Sequence, residues 1–256
     1  MTRIVSIANQ KGGVGKTTTA INLAASIAAC ERRVLLVDLD PQANATSGLG
    51  FSKFEEPSIY PVLVQGLSAQ ETVRKTEIST LDIIPSSVDL VAAELELTDA
   101  GGREFHLRKA LESLAAAYDY VLIDSPPSLG LLTINGLTAA DSVLVPMQCE
   151  YFALEGISQL MNTVERVRDG LNPSLEIEGI ALTMYDDRVN LSRQVADEVR
   201  THFGDKVYHS VIPRNVRLGE APSFGKPIIL YDIRSRGSEA YLALAREFIQ
   251  RAETII

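Results

Sequence analysis

Residues 10–18 read Gln10-Lys11-Gly12-Gly13-Val14-Gly15-Lys16-Thr17-Thr18, between an apolar run, Ile4-Val5-Ser6-Ile7-Ala8, and a helix-like segment from Thr19 to Cys30. A strand that runs into a glycine-rich turn and then a helix is the frame of a phosphate-binding loop. The glycines let backbone N–H groups close around phosphate oxygens, and the helix N-terminus adds partial positive charge. Lys16 is spaced to reach β- and γ-phosphates, and the Thr17 hydroxyl to hold Mg²⁺. The common form of the loop starts with a glycine five residues before Gly15, where this chain has Gln10. Lys11 follows it, so the loop carries two lysines. Lys16 serves its own nucleotide, which leaves Lys11 to point outward as a second cation, as an arginine finger does in trans.

The rest of the chain alternates apolar runs with amphipathic stretches. Residues 3–9, 33–38, 81–85, 119–124, 141–146, 177–183 and 206–212 read as strands, and 17–30, 102–117, 151–169, 190–203 and 237–253 as helices. Alternation of this kind predicts an α/β fold, a mostly parallel twisted sheet with helices on both faces. Nearly continuous apolar strands such as Val34–Val37 fit burial on both sides. A ligand is then expected at the carboxyl ends of the strands, where the loops after the first, second and 119–124 strands converge. With no repeat or low-complexity linker in view, one domain over residues 1–256 is the expectation, with no DNA-binding module ahead of the first strand.

Lys11-Gly12-Gly13-Val14-Gly15-Lys16-Thr17 resembles the deviant Walker A motif of the MinD/ParA class of P-loop ATPases. Val34-Leu35-Leu36-Val37-Asp38-Leu39-Asp40-Pro41-Gln42 is similar to the second strand and first switch of that class. Tyr120-Val121-Leu122-Ile123-Asp124-Ser125-Pro126-Pro127 is similar to its Walker B strand and second switch. Val211-Ile212-Pro213-Arg214-Asn215-Val216-Arg217-Leu218, followed by Glu220-Ala221-Pro222-Ser223, looks like the Soj-like chromosomal ParA subgroup.

The resemblance implies an ATPase that is slow without its partner and a set of site residues. Gly12, Gly13, Val14, Gly15, Lys16, Thr17 and Thr18 would cradle the phosphates, with Lys11 crossing to a second protomer. Thr17, Asp38 and Asp124 would face Mg²⁺, Asp40 would orient the attacking water, and Pro213 and Asn215 would contact adenine. No Asn-Lys dipeptide occurs, so the guanine-reading motif is absent and ATP is the expected nucleotide. Arg188 and Arg217 match positions the Soj-like subgroup uses for non-specific contact with double-stranded DNA, and Arg193, Arg214, Lys226, Arg234 and Arg236 would widen that patch. Implied partners are a second copy of the chain on ATP binding, DNA, and a ParB/Spo0J-like centromere-binding protein.

Charge decides between rival readings. The net charge of −9 argues against a globally basic nucleic-acid binder, yet Tyr185 to Arg236 holds nine basic and seven acidic residues. A local patch survives because charges beyond about 8 Å are screened at physiological salt. A MinD-type membrane ATPase needs a basic amphipathic C-terminal helix. The tail from Arg246 to Ile256 has an apolar face, but its two arginines are matched by two glutamates, so it reads as a helix docked on the core. A nitrogenase-type reductase needs cysteines at the dimer axis, and Asp124 to Gly136 contains none. Cys30 and Cys149 lie far apart in sequence, and His106, His202 and His209 form no ligand pattern. No secretory leader or span of 18 apolar residues is visible, so a soluble, cytoplasmic protein is expected, and the resemblance implies association with the nucleoid.

Overall fold

A computed structural model describes residues 2–150 and 153–254. Seven strands form one sheet: β1 (Arg3–Ile7), β2 (Val34–Asp38), β3 (Arg74–Lys75), β4 (Leu81–Ile84), β5 (Tyr120–Asp124), β6 (Ser142–Gln148) and β7 (Glu176–Thr183). Their spatial order is β3-β4-β2-β5-β1-β6-β7, parallel throughout except for the β3–β4 pair. The helices are α1 (Lys16–Ala29), α2 (Asn44–Gly48), α3 (Ile59–Gln65), α4 (Leu90–Glu96), α5 (His106–Glu112), α6 (Leu131–Ala139), α7 (Ala153–Gly170), α8 (Asn190–Phe203), α9 (Val216–Glu220), α10 (Ile228–Tyr231) and α11 (Arg236–Thr254).

Period-two alternation sends each strand's side chains to opposite layers. Val34 and Leu36 of β2, with Tyr120 and Leu122 of β5, pack under α1 and α11. Leu35, Val37, Val121 and Ile123 point the other way, toward α3 to α6. Val143, Val145, Ile180 and Leu182 continue that second layer under α7 and α8. The central strands are therefore apolar on both faces because both faces are covered. The C-terminal helix α11 presents Tyr241, Leu244, Ala245, Phe248 and Ile249 to the core. Its apolar face is thus already occupied, although Ile255 and Ile256 lie outside the described residues. Among the described residues, no helix is long and apolar enough to cross a membrane.

Two expectations fail. Residues 206–212 do not form a strand; only isolated bridges join Val207 to Ile180 and Pro213 to Tyr185. Tyr208 and Ile212 still donate to Ile180 and Leu182 at 2.9 and 2.8 Å. Between them, the N–H groups of His209 and Ser210 are taken by the Glu247 carboxylate of α11, at 2.8 and 2.9 Å. Residues 102–117 are not one helix either: α5 is flanked by short 3₁₀ turns at Arg103–Phe105 and Ala115–Ala117. The predicted 151–169 helix is α7; Tyr151 and Phe152 lie outside the described residues.

Candidate functional site

The parallel register places the site. Ile7 of β1 and Asp38 of β2 are both paired with Asp124 of β5, so the glycine-rich loop and two carboxylates leave the sheet side by side. Gly13 and Gly15 have φ of 74° and 84°, a left-handed backbone that side chains resist. Gly15 is the N-cap of α1 and supplies no capping side chain, and the first turn holds no acidic residue. The helix start is therefore left open to an anion.

Neighbours outside the motif hold the loop. Asn9, 4% exposed, donates from Nδ2 to the Pro146 carbonyl at 2.8 Å and accepts the Lys11 N–H at 3.0 Å. Thr183, at the end of β7, donates its hydroxyl to the Val14 carbonyl at 2.8 Å. Gln10, where the common pattern has glycine, hydrogen-bonds Gln159 of α7 and ties the loop entry to that helix.

The two lysines take different positions. Lys16 is buried and donates from Nζ to the Lys11 carbonyl at 3.0 Å, inside the loop. Burial lowers its pKa, while the Asp124 and Asp40 charges pull it back up. Lys11 turns outward to Glu150, 3.2 Å away, both side chains being partly exposed. Such a pair contributes about 0–1 kcal/mol, so Lys11 is lightly held.

The carboxylates differ as sharply. Asp38 accepts the N–H and hydroxyl of Thr46 at 2.8 and 2.7 Å on Oδ2, and the Asp40 N–H at 3.2 Å on Oδ1. It thereby anchors the loop that follows β2. Burial pushes its pKa up to about 6 against those hydrogen bonds, with the Asp40 charge adding to the rise. Asp40, nearly buried, accepts the Gln42 N–H at 2.9 Å. Asp124 is fully buried, and neither carboxylate oxygen has a hydrogen-bond partner. Burial first, then the Asp38 charge, push its pKa well up, while the Thr17 hydroxyl and Lys16 pull it down.

An unpartnered buried carboxylate is costly unless something charged or hydrogen-bonding meets it. Beside the Thr17 hydroxyl, Asp124 fits Mg²⁺, which keeps several waters and takes few protein ligands. Among the described residues there is no cluster of three or more His, Cys, Asp or Glu to form an all-protein cage. Mg²⁺ would be held by Thr17 and, through water, by Asp124, and when bound it supplies positive charge for phosphoryl transfer.

The base and DNA candidates sit around this centre. Thr183 and Met184 lie against Gly15, and Tyr185 exchanges backbone bonds with Ile212 and Arg214, which brings Pro213 and Asn215 to the same end of the sheet. Asn215 caps α9, its Oδ1 accepting the Arg217 N–H at 2.8 Å, so its amide NH₂ is the part left for a base. Arg188 is 84% exposed but makes two bonds to Asp186, at 2.8 and 2.7 Å. Arg217 is shared between Glu220 at 2.9 Å and Asp232 at 3.6 Å. A phosphate must compete with these acids. Sequence reasoning passed over Asn9, Thr46, Thr183 and Glu150; a buried amide or hydroxyl beside a motif carries no spacing signal of its own.

A family profile described as an AAA domain matches residues 2–177. The chain is 59% identical to the chromosome partitioning protein ParA of Myxococcus xanthus over 97% of its length and 88% of that protein. It is 58% identical to the sporulation initiation inhibitor protein Soj of Bacillus subtilis, over 96% of this chain and 98% of the other. Among solved structures, cobyrinic acid a,c-diamide synthase from Mycobacterium smegmatis, with bound ATP analog and magnesium, superposes with a TM-score of 0.88. That chain is 37% identical, with 100% of this chain and 98% of that one covered.

Proposed function

The chain belongs to the ParA/Soj family of P-loop ATPases, and from that premise we propose a chromosome-partitioning switch whose ATP-bound form is a sandwich dimer on DNA. It hydrolyses ATP with Mg²⁺. The observation that carries the dimer is the division of labour in the loop: Lys16 lies inside, whereas Lys11 lies outside on a weak tether to Glu150. Leaving Glu150 for the phosphates of a facing protomer would put Lys11's charge where negative charge develops.

In this reading Lys16 and the α1 N-terminus bind the phosphates, Asp40 orients the attacking water, and Thr17 and Asp124 serve Mg²⁺. Pro213 and Asn215 border the adenine, and residues 1–256 act as one domain. Arg188 and Arg217 contact phosphates of non-specific DNA once exchanged from their carboxylates, and a ParB-like partner stimulates hydrolysis and releases the DNA. Nothing favours a MinD-type alternative, since α11 buries its apolar face in the protein.

The test is DNA binding with ATP, ADP and no nucleotide across a salt series. Binding that requires ATP, ignores sequence and falls steeply with salt is expected. Equal binding in all three states would sink the proposal. Asp40→Ala is expected to give an ATP dimer that persists on DNA.

A further inference from the structure

Helix α4 has two apolar faces, and only one of them is covered. Leu90, Ala93 and Leu97 are buried in the core. Val91 and Leu95, on the opposite side, are 63% and 79% exposed, and Val88, just ahead of the helix, extends the stripe at helical spacing. Contiguous exposed apolar patches rimmed by polar residues mark interaction sites. The charge around it is one-sided: residues 86–102 contain Asp89, Glu94, Glu96 and Asp99 and no lysine or arginine.

The helix and the residues that lead into it touch both nucleotide switch segments. Glu94 accepts the Leu132 N–H at 3.3 Å, where the loop after β5 enters α6. It also fills the space beside Gly130, where an added Cβ would come within 2.3 Å of Glu94 Oε1. On the other side, the Ser86 N–H donates to the Thr46 hydroxyl at 2.8 Å, and that hydroxyl donates to Asp38 at 2.7 Å. Ser87, next in the chain, accepts the Leu90 N–H at the start of α4. A load on the outer face of α4 therefore bears on the loop that carries Asp40 and on the loop that follows Asp124.

We propose that the outer face of α4 docks a basic amphipathic segment of a partner protein, and that Glu94 and Thr46 transmit the docking to the two switch loops. The apolar stripe seats the apolar side of such a segment, and the four acids select its charge. This rests on the partition reading, in which a second protein stimulates hydrolysis.

The experiment uses the full chain and the purified ParB-type partner. A Val91→Ser/Leu95→Ser double variant should keep basal ATPase activity and ATP-dependent DNA binding, because both side chains are surface groups. Its affinity for the partner should fall roughly tenfold or more. Glu94→Ala should bind the partner but respond to it less, and partner binding should slow amide exchange in residues 88–99. Unchanged partner affinity in the double variant, or protection absent from 88–99, overturns the docking. Loss of the ATP dimer instead, with partner affinity kept, assigns the face to a second copy and also overturns it. Should the wild-type chain lack ATP-dependent DNA binding, the partition reading fails, while exchange at 88–99 still scores the docking.

Discussion

At the amino ends of the strands, Glu178 is buried and fully engaged, accepting Arg3 at 2.6 Å, the Ser142 hydroxyl at 2.5 Å and the Tyr208 hydroxyl at 3.4 Å. At the carboxyl ends of the same sheet, Asp124 is equally buried, and neither of its oxygens makes a well-formed hydrogen bond. One end completes its own charges; the other leaves a carboxylate, an open helix start and two left-handed glycines uncompensated. The contrast separates structural polarity from functional polarity, because a buried carboxylate with neither oxygen paired carries a cost that a bound ligand can offset. The largest expected effects follow. Lys16→Ala should abolish ATP binding, checked by nucleotide titration, while the fold stays near its original stability. Glu178→Ala should do the reverse. It strands Arg3, destabilises the protein by about 3–5 kcal/mol, and leaves nucleotide affinity of the folded fraction intact. Denaturant melts with and without ATP read both outcomes, and a Glu178→Ala protein of unchanged stability would break the comparison.

The carboxyl end was the more legible of the two in sequence. Asp38 and Asp124 end unbroken apolar runs, and the glycine loop is contiguous, so local order announced them. The amino end depends on residues 3, 142, 178 and 208, which meet only after folding. The false strand at 206–212 fails for the same reason. Its apolar residues have strand spacing, but Glu247 from α11 removes two donors from the ladder. Helix α4 escaped notice because seven residues that are apolar on both sides give a weak periodic signal. The adenine and DNA residues were readable only through resemblance, since one Asn and two Arg have no spacing of their own.

A middle-sized effect tests the unpaired state directly. Asp124→Asn keeps the shape and removes the buried charge, so the nucleotide-free protein should gain on the order of 1–2 kcal/mol at pH 8. That corresponds to a rise of roughly 2–8 °C in Tm for a chain of this size. The gain should depend on pH. Burial raises the Asp38 pKa to about 6 and that of Asp124 well above its ordinary value, so the folded state holds protons that the unfolded state has released. Stability contributed by Asp38 therefore improves as pH falls through about 6 toward the unfolded value near 4, and the Asp124 contribution moves in the same direction. The advantage of Asp124→Asn should accordingly shrink between pH 8 and pH 5, while its stabilisation by Mg²⁺-ATP should be smaller than in the wild type. A constant advantage across that range would mean that the carboxylate is not the source of the cost.

The smallest effect asks whether pairing alone, without burial, marks a structural charge. Arg188 and Asp186 are bonded as closely as Arg3 and Glu178, yet Arg188 is 84% exposed where Glu178 is buried. Asp186 is held down to about 2, first by the side-chain hydrogen bonds from Arg188, so it is a carboxylate at every working pH. If exposure makes this pair dispensable, Asp186→Asn should leave the melting temperature unchanged and free the guanidinium for a phosphate. DNA affinity in ATP should then rise about two- to fivefold, and the salt dependence should steepen by about one counterion. Arg188→Ala should move both quantities the other way. Should Asp186→Asn instead lower stability as Glu178→Ala does, the pair belongs with the amino end of the sheet, and the loop after β7 is braced rather than poised for DNA.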